Sequence, residues 1–119
     1  MTQQTNLRNG GTPEQLMNNF IANEFDMVMV FNLPLNGAYH LSRIAQQHGV
    51  TAVATVFPES ICYFPTPQQA CRFTNALHGK IMDQRTIRAE GHRIGSLEDF
   101  YSFMEHFKIR KNVPMFKLR

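Results

Sequence analysis

The sequence has few cysteines and no long hydrophobic run, and these two absences exclude several classes of protein. Its two cysteines, Cys62 and Cys71, are too few for a disulfide-stapled scaffold, and we expect both to be small core residues. No apolar stretch approaches the roughly 20 residues that a membrane-spanning helix needs, and the start MTQQTNLRNGG is too polar for a signal peptide. We therefore expect a protein of the cytoplasm or the nucleus, without membrane contact.

The sequence also lacks a pattern that would indicate catalysis or metal binding. The histidines show no metal-ligand spacing with a cysteine or a group of carboxylates. No nucleophile can be paired with a general base, so we predict no catalytic residues. We expect a protein that is not an enzyme and that has no cofactor, no metal and no small-molecule substrate.

Positive charge is concentrated at one end of the chain. The formal net charge is +3, but residues 108–119 hold five basic residues and no acidic ones. The other 107 residues hold the remaining seven basic groups and all nine acidic groups, so that part is slightly acidic. A domain that bound an RNA backbone across its own surface would usually show the opposite distribution.

The length of the chain fits one domain with flanking segments. A chain of 119 residues, 43% of them hydrophobic, can bury about two-thirds of its unfolded surface in a core. We predict a disordered segment at residues 1–11 and a single domain at 12–107, whose core lies at 26–90. Residues 108–119 are predicted to form a basic tail.

Hydrophobic periodicity and capping signals predict the order of helices and strands. Alternation along residues 27–33 points Val28 and Val30 to the core, while Thr66 begins a helix that Gly79 ends. The full set is a helix from Thr12, a strand at 27–33, a helix from Asn36 to His48, strands at 50–57 and 61–64, a helix at 66–79, a strand at 85–90 and an aromatic helix at 97–107. The central order βαββαβ predicts an α+β sandwich, in which two helices cover one face of a four-stranded antiparallel sheet.

Two segments of this core resemble the motifs of a known family. The run from Val28 to Pro34, VMVFNLP, is similar to the first-strand motif of the RNA recognition motif (RRM) family, which commonly ends Asn-Leu-Pro. The run from Phe64 through Leu77-His78-Gly79 to Ile87 resembles the second half of the family's fold. The resemblance covers residues 26–90 and implies a ferredoxin-like RRM sandwich, here with additional helices at both ends.

The resemblance also shows which features of the family this chain lacks. RRMs that bind RNA stack bases on aromatic side chains of the two central strands. The corresponding positions here are occupied by Met29, Glu59 and Ile61. Base–aromatic stacking is worth roughly 1–3 kcal/mol per base, so the loss of two stacks costs about 2–6 kcal/mol. We therefore predict that the sheet does not read RNA in the usual way.

The remaining side chains of this sheet face form an apolar centre with charged edges, which is typical of a protein interface. The residues predicted to form the interface are Met27, Met29, Phe31, Ile61, Tyr63 and Arg88. Alternatively, the aromatic helix at 97–107 folds back and covers the same face. The N-terminal helix poses a similar choice, because its apolar side can pack on its own domain or on a partner.

The resemblance and the missing aromatic residues together favour a non-catalytic protein–protein interaction module, which would act as a scaffold within an RNA-processing complex. Degenerate RRMs of this kind occur in splicing, export and small-RNA biogenesis, and the partner could be another RRM or a second copy of the chain. The alternative is weak binding of single-stranded RNA by the sheet face and the basic tail. The predicted tail contacts are Lys108, Arg110, Lys111, Lys117 and Arg119.

Overall fold

One antiparallel sheet organises the structure, a computed structural model that describes residues 11–110. The helices are α1 (Pro13–Asn23), α2 (Gly37–Gln47), α3 (Pro67–Leu77) and α4 (Leu97–Arg110). The strands are β1 (Met27–Phe31), β2 (Ala52–Val56), β3 (Glu59–Tyr63), β4 (Ile81–Met82), β5 (Arg85–Thr86) and β6 (Arg88–His92). The sheet has the order β2-β3-β1-β6, and β4 and β5 form a separate hairpin. The predicted α+β sandwich is confirmed.

The sheet has an apolar cluster on each of its faces. Val28 and Val30 of β1 are fully buried on the face that packs against the helices, as their alternation predicts. Their partners across the sheet include Cys62 on β3 and Ala89 on β6, which belong to the same cluster. The second cluster lies on the opposite face and contains side chains of α4. Both faces of the sheet are therefore covered by helices.

The predicted strand at 85–90 is two elements in the structure. β5 turns back on β4 in a hairpin, and β6 alone joins the main sheet. Asp83 and Gln84 have positive φ angles of 49° and 68°, as two-residue hairpin turns require. The hairpin is fixed to the core by Met82, which is buried, while neighbouring Ile81 points away from the core. A second difference concerns Asn36, which begins α2 without a side-chain capping hydrogen bond.

Helix α1 packs on its own domain, which is one of the two arrangements that the sequence left open. Its start is a capping box, in which the Thr12 hydroxyl accepts from the Gln15 amide at 3.1 Å and the Gln15 side chain accepts from the Thr12 amide at 2.9 Å. Phe20 is buried in the same cluster as Val28. Ile21, the next residue, is exposed, because the buried face of α1 is narrow.

Helix α4 extends three residues beyond the predicted limit at residue 107. Lys108 and Arg110 therefore belong to the helix, although they were predicted to lie in the tail. The rest of that tail and the predicted disordered segment, except Gly11, lie outside the described residues. Among residues 11–110, no helix combines the length and the hydropathy that crossing a membrane requires.

The docking of α1 can be tested at Gly91, where β6 passes directly beneath it. A Cβ atom added at Gly91 would lie 2.6 Å from Cζ of Phe20 and 2.8 Å from Cδ2 of Phe25. We expect Gly91→Ala to lower the free energy of unfolding by about 1–3 kcal/mol, because the rings must move. Denaturant unfolding measures the change, and the cost should shrink in a Phe20→Leu background. An unchanged stability would contradict the packing of α1 on β6.

The two cysteines are free thiols in the core, as predicted. Burial raises the pKa of the Cys62 thiol from 9.0 to about 12 and that of Cys71 from 9.0 to about 11.

We expect neither thiol to react with a disulfide reagent at mildly alkaline pH until the protein unfolds, because the reactive thiolate is suppressed in the folded state. Both folded-state pKa values are raised, so the stability that these groups contribute should fall as the pH rises from about 9 towards 12. A colorimetric thiol assay with and without denaturant measures the reactivity. Rapid reaction of the folded protein would contradict the burial of the thiols.

Candidate interaction surfaces

The outer sheet face is the surface that the sequence singled out, and its side chains come together as predicted. The antiparallel register of β1 and β3 places Met29 opposite Ile61, and Met27 opposite Tyr63. Phe31 lies opposite Arg88 on the neighbouring strand β6. These side chains point away from α2 and α3. We call this set the outer sheet face.

Helix α4 covers most of the outer sheet face. Phe100 and Phe107 are buried in one cluster with Met27 and Ile61. The rings of Phe100 and Tyr63 have centroids 5.6 Å apart with an interplanar angle of 33°. The side chains that join this cluster from its periphery are Met29, Ala52, Val56, Tyr63, Ile94, Phe103 and Met104. Of the two arrangements considered for this face, coverage by the chain's own helix is the one observed.

This arrangement corrects the expected exposure of the predicted interface. Met27 is 2% exposed and Ile61 is fully buried, so neither side chain is available to a partner while α4 is in place. Met29 and Tyr63 are half-buried beside α4. The physical reason is that α4 carries large apolar side chains, and moving these side chains from water onto the sheet lowers the free energy of the folded chain. The sequence allowed this contact but could not select it.

A polar clamp before β1 sets the position at which α4 begins. The Asp26 carboxylate accepts hydrogen bonds from the amides of Ile94, at 2.8 Å, and Gly95, at 3.1 Å. Gly95 has a φ of 97°, which turns the chain, and the Ser96 hydroxyl accepts from the Asp99 amide at 3.1 Å to cap the helix. The chain after β6 is thereby directed back across the sheet. Asp26 was not recognised from the sequence, because its hydrogen bonds join residues 68 and 69 positions away in the chain.

The stacking positions of the outer sheet face are unsuitable for bases in this structure. Ile61 has no accessible surface, and Met29 presents a thioether instead of a ring. Tyr63 already contacts the ring of Phe100. Burial, together with the nearby Asp26 carboxylate, raises the pKa of the Tyr63 phenol above its ordinary value. That the sheet does not read RNA in the usual way stays a prediction.

One end of the outer sheet face remains outside the α4 cluster. There the Arg88 guanidinium lies over the ring of Phe31, 4.1 Å from its centroid, and forms an ion pair with Glu90. A cavity of about 350 Å³ beside them is also lined by Asn32 and His78. Phe31 and Arg88 thus remain accessible members of the predicted interface, and their role in binding stays a prediction.

The predicted tail contacts are only partly described. Lys108 is an exposed residue of α4, and Arg110 is the last residue of that helix. Lys111, Lys117 and Arg119 lie outside the described residues, so their role in RNA binding also stays a prediction. Among residues 11–110, no group of three or more histidine, cysteine, aspartate or glutamate side chains is arranged to hold a metal ion.

Comparison with solved structures identifies the fold. The RRM of RNA15 superposes with a TM-score of 0.53 and 12% sequence identity, over 66% of this chain and 98% of that one. The RRM domain of S. pombe Puf1 gives a TM-score of 0.51 and 16% identity, over 58% of this chain and 99% of that one. No protein-family model and no curated protein matches the sequence. The chain therefore has an RRM-like fold, as its motifs suggested.

The contact between α4 and the outer sheet face can be tested with two adjacent residues. Phe100 is buried on the sheet, whereas Tyr101 is 48% exposed on the other side of the helix. We expect Phe100→Ala to release α4, because the buried ring contributes about 1.5–3 kcal/mol to the contact. Hydrogen exchange of the α4 amides should accelerate strongly, while exchange in β1 and β3 stays slow.

Tyr101→Ala is the matched control and should leave the exchange of α4 unchanged. If both substitutions changed the exchange of α4 equally, the orientation of the helix described above would be wrong.

Proposed function

We propose that this chain is a non-catalytic protein-binding module of an RNA-processing assembly in the cytoplasm or the nucleus. The observation that carries the proposal is the burial of Met27 and Ile61 beneath Phe100 and Phe107. In this RRM-like fold, the chain's own helix α4 covers the outer sheet face. The surfaces that remain for partners are the outer side of α4 and the surfaces of α1, α2 and α3. The link with RNA processing rests on the likeness of fold alone.

The energetics disfavour the outer sheet face as a surface that reads RNA. RNA could reach Ile61 only after Phe100 and Phe107 had left the sheet. Exposing these two rings costs about 3–6 kcal/mol, which weakens binding roughly a hundredfold to ten-thousandfold. Because the stacking positions lack aromatic rings, RNA would also lose about 2–6 kcal/mol of favourable stacking energy. The two effects act in the same direction.

Weak RNA binding is the second candidate, and the open end of the outer sheet face favours it. Phe31 offers a ring, and Arg88 and Lys108 offer positive charge. Such contacts would depend mainly on phosphate neutralisation and should weaken steeply as salt is added. An apolar contact with a protein should be much less sensitive to salt. Salt dependence therefore separates the two candidates.

A photocrosslinking experiment tests which class of partner the chain contacts. A photoreactive phenylalanine analogue would replace Tyr39 on α2, Tyr101 on α4 or Phe31 on the sheet, one position at a time, in the full chain within its own cells. After irradiation and denaturing purification, each adduct is treated with ribonuclease or with protease. We expect ribonuclease-resistant, protease-sensitive adducts from Tyr39 or Tyr101.

The position at Phe31 serves as the internal comparison, because it reports on RNA at the sheet. Predominantly ribonuclease-sensitive adducts, from Phe31 in particular, would overturn the proposal and favour the RNA-binding alternative. Titration of the purified chain with a single-stranded RNA of mixed sequence at low and high salt completes the test. Tight binding that persists at high salt would also contradict the proposal.

A further inference from the structure

An open groove lies between α2 and the β4–β5 hairpin, on the opposite side of the sheet from α4. Its volume is about 610 Å³. The side chains that matter for its chemistry are Pro34, His40, Arg43, Ile44, Lys80 and Ile81. None of these residues belongs to the outer sheet face. Coverage of that face by α4 therefore leaves the groove unoccupied by any described part of the chain.

The walls of the groove are held together by hydrogen bonds between distant segments. The Arg85 guanidinium donates to the carbonyl of Leu33 at 2.9 Å, and the Asn32 side chain donates to the carbonyl of Thr86 at 3.0 Å. These bonds fix the β4–β5 hairpin to the loop that leads into α2. At the start of α2, a Cβ at Gly37 would lie 2.8 Å from Cδ of Pro34, so the helix begins in close contact with that loop. The groove is therefore preformed, which reduces the entropic cost of binding.

Exposed apolar side chains are concentrated around this groove. Among the large apolar side chains whose exposure the structure describes, the three most exposed are Leu35 (78%), Ile81 (70%) and Tyr39 (66%). Ile81 lines the groove, Leu35 lies between two residues that line it, and Tyr39 precedes another. One exposed apolar side chain in the groove, with two more at positions adjacent in sequence to lining residues, exceeds the scattered exposure that is normal for a protein surface.

The charge around the groove is mainly positive. Helices α2 and α3 contain no aspartate or glutamate, and the whole segment 27–58 contains none. Arg43 and Lys80 line the groove, and neither forms an ion pair within residues 11–110. His40 also lines the groove, and Asp83 is the only carboxylate among the lining residues. Among the described residues, the groove thus offers two cations without an ion-pair partner, of which Arg43 lies over the ring of Tyr39 at 6.0 Å from its centroid.

We propose that this groove binds an acidic peptide segment of a partner protein, with apolar side chains seated against Ile81, Leu35 and Tyr39 and carboxylates facing Arg43 and Lys80. The proposal rests on the proposed protein-binding function and specifies its surface and the chemistry of its ligand. The chain's own C-terminal segment KNVPMFKLR is an unsuitable occupant, because it is itself basic. RNA fits less well, because Leu35 and Ile81 are aliphatic and do not stack with bases.

The test uses the full chain labelled with ¹⁵N and short synthetic peptides as probes. The first peptide alternates leucine and phenylalanine with glutamate. One control peptide replaces each glutamate by lysine, and another replaces each apolar residue by serine. We expect the first peptide alone to shift the amide signals of residues 35–47 and 80–83, because binding needs both charge and apolar contact.

Substitutions locate the binding within the groove. We expect Arg43→Glu and Ile81→Ser each to raise the dissociation constant of the first peptide by about tenfold or more. The matched controls are Arg72→Glu on α3 and Ile21→Ser on α1, which change an exposed residue of the same type outside the groove. These controls should leave the dissociation constant within about twofold of the unmodified chain.

Five kinds of result would overturn the proposal. The first is that the first peptide does not bind. The second is that Arg72→Glu weakens its binding as much as Arg43→Glu does, or that the serine peptide binds as tightly as the first peptide, since both outcomes indicate diffuse charge attraction. Signal shifts confined to α4 and the outer sheet face are the third. Tighter binding of single-stranded RNA at the groove, or self-association that Arg43→Glu abolishes, is the fourth and assigns the groove to another occupant. The fifth is a photocrosslinking result, protein adducts from Tyr101 without adducts from Tyr39. It would exclude the groove as the binding surface but would still support the protein-binding function.

Discussion

The contact between α4 and the outer sheet face is the interaction on which the functional interpretation depends. Phe100 and Phe107 occupy the centre of the surface where RRMs that bind RNA stack bases. The helix reaches this position because Asp26 holds the chain after β6 and because Gly95 and Ser96 turn and cap it. A few polar contacts thus direct a helix whose apolar side chains supply most of the binding free energy. The surface that stacks bases in those RRMs is part of a second apolar core in this chain.

This second core changes which surfaces can carry function. The face with the RRM-like motifs is largely internal, and only its end at Phe31 and Arg88 remains open. On the other side of the sheet, α1 packs on α3, and its Phe20 lies over Gly91 of β6. The most exposed large apolar side chains of the described residues, Leu35, Ile81 and Tyr39, belong to the region of α2 and the β4–β5 hairpin. Partner binding on that side is compatible with a closed outer sheet face.

Local patterns in the sequence predicted the elements well, because the forces that decide them act over a few residues. The alternation at Val28 and Val30 identified the core face of β1, and Thr12 and Thr66 both cap helices as expected. The hairpin at Ile81 was missed, because its two-residue strands are too short to show a period. The exposure of Ile61 could not be decided from the sequence, because burial by α4 is a long-range contact that no local pattern encodes. The motif resemblance identified the fold, which does not determine the ligand.

The most direct test of this account is the nuclear Overhauser effect between the ring protons of Tyr63 and Phe100 in the full chain without any partner. The structure places these ring centroids 5.6 Å apart, so we expect clear cross-peaks, together with slow hydrogen exchange in α4. This result would establish a closed outer sheet face as the resting state. Absent cross-peaks with freely exchanging α4 amides would contradict the account, because Ile61 and Met27 would then be open to RNA or to a partner.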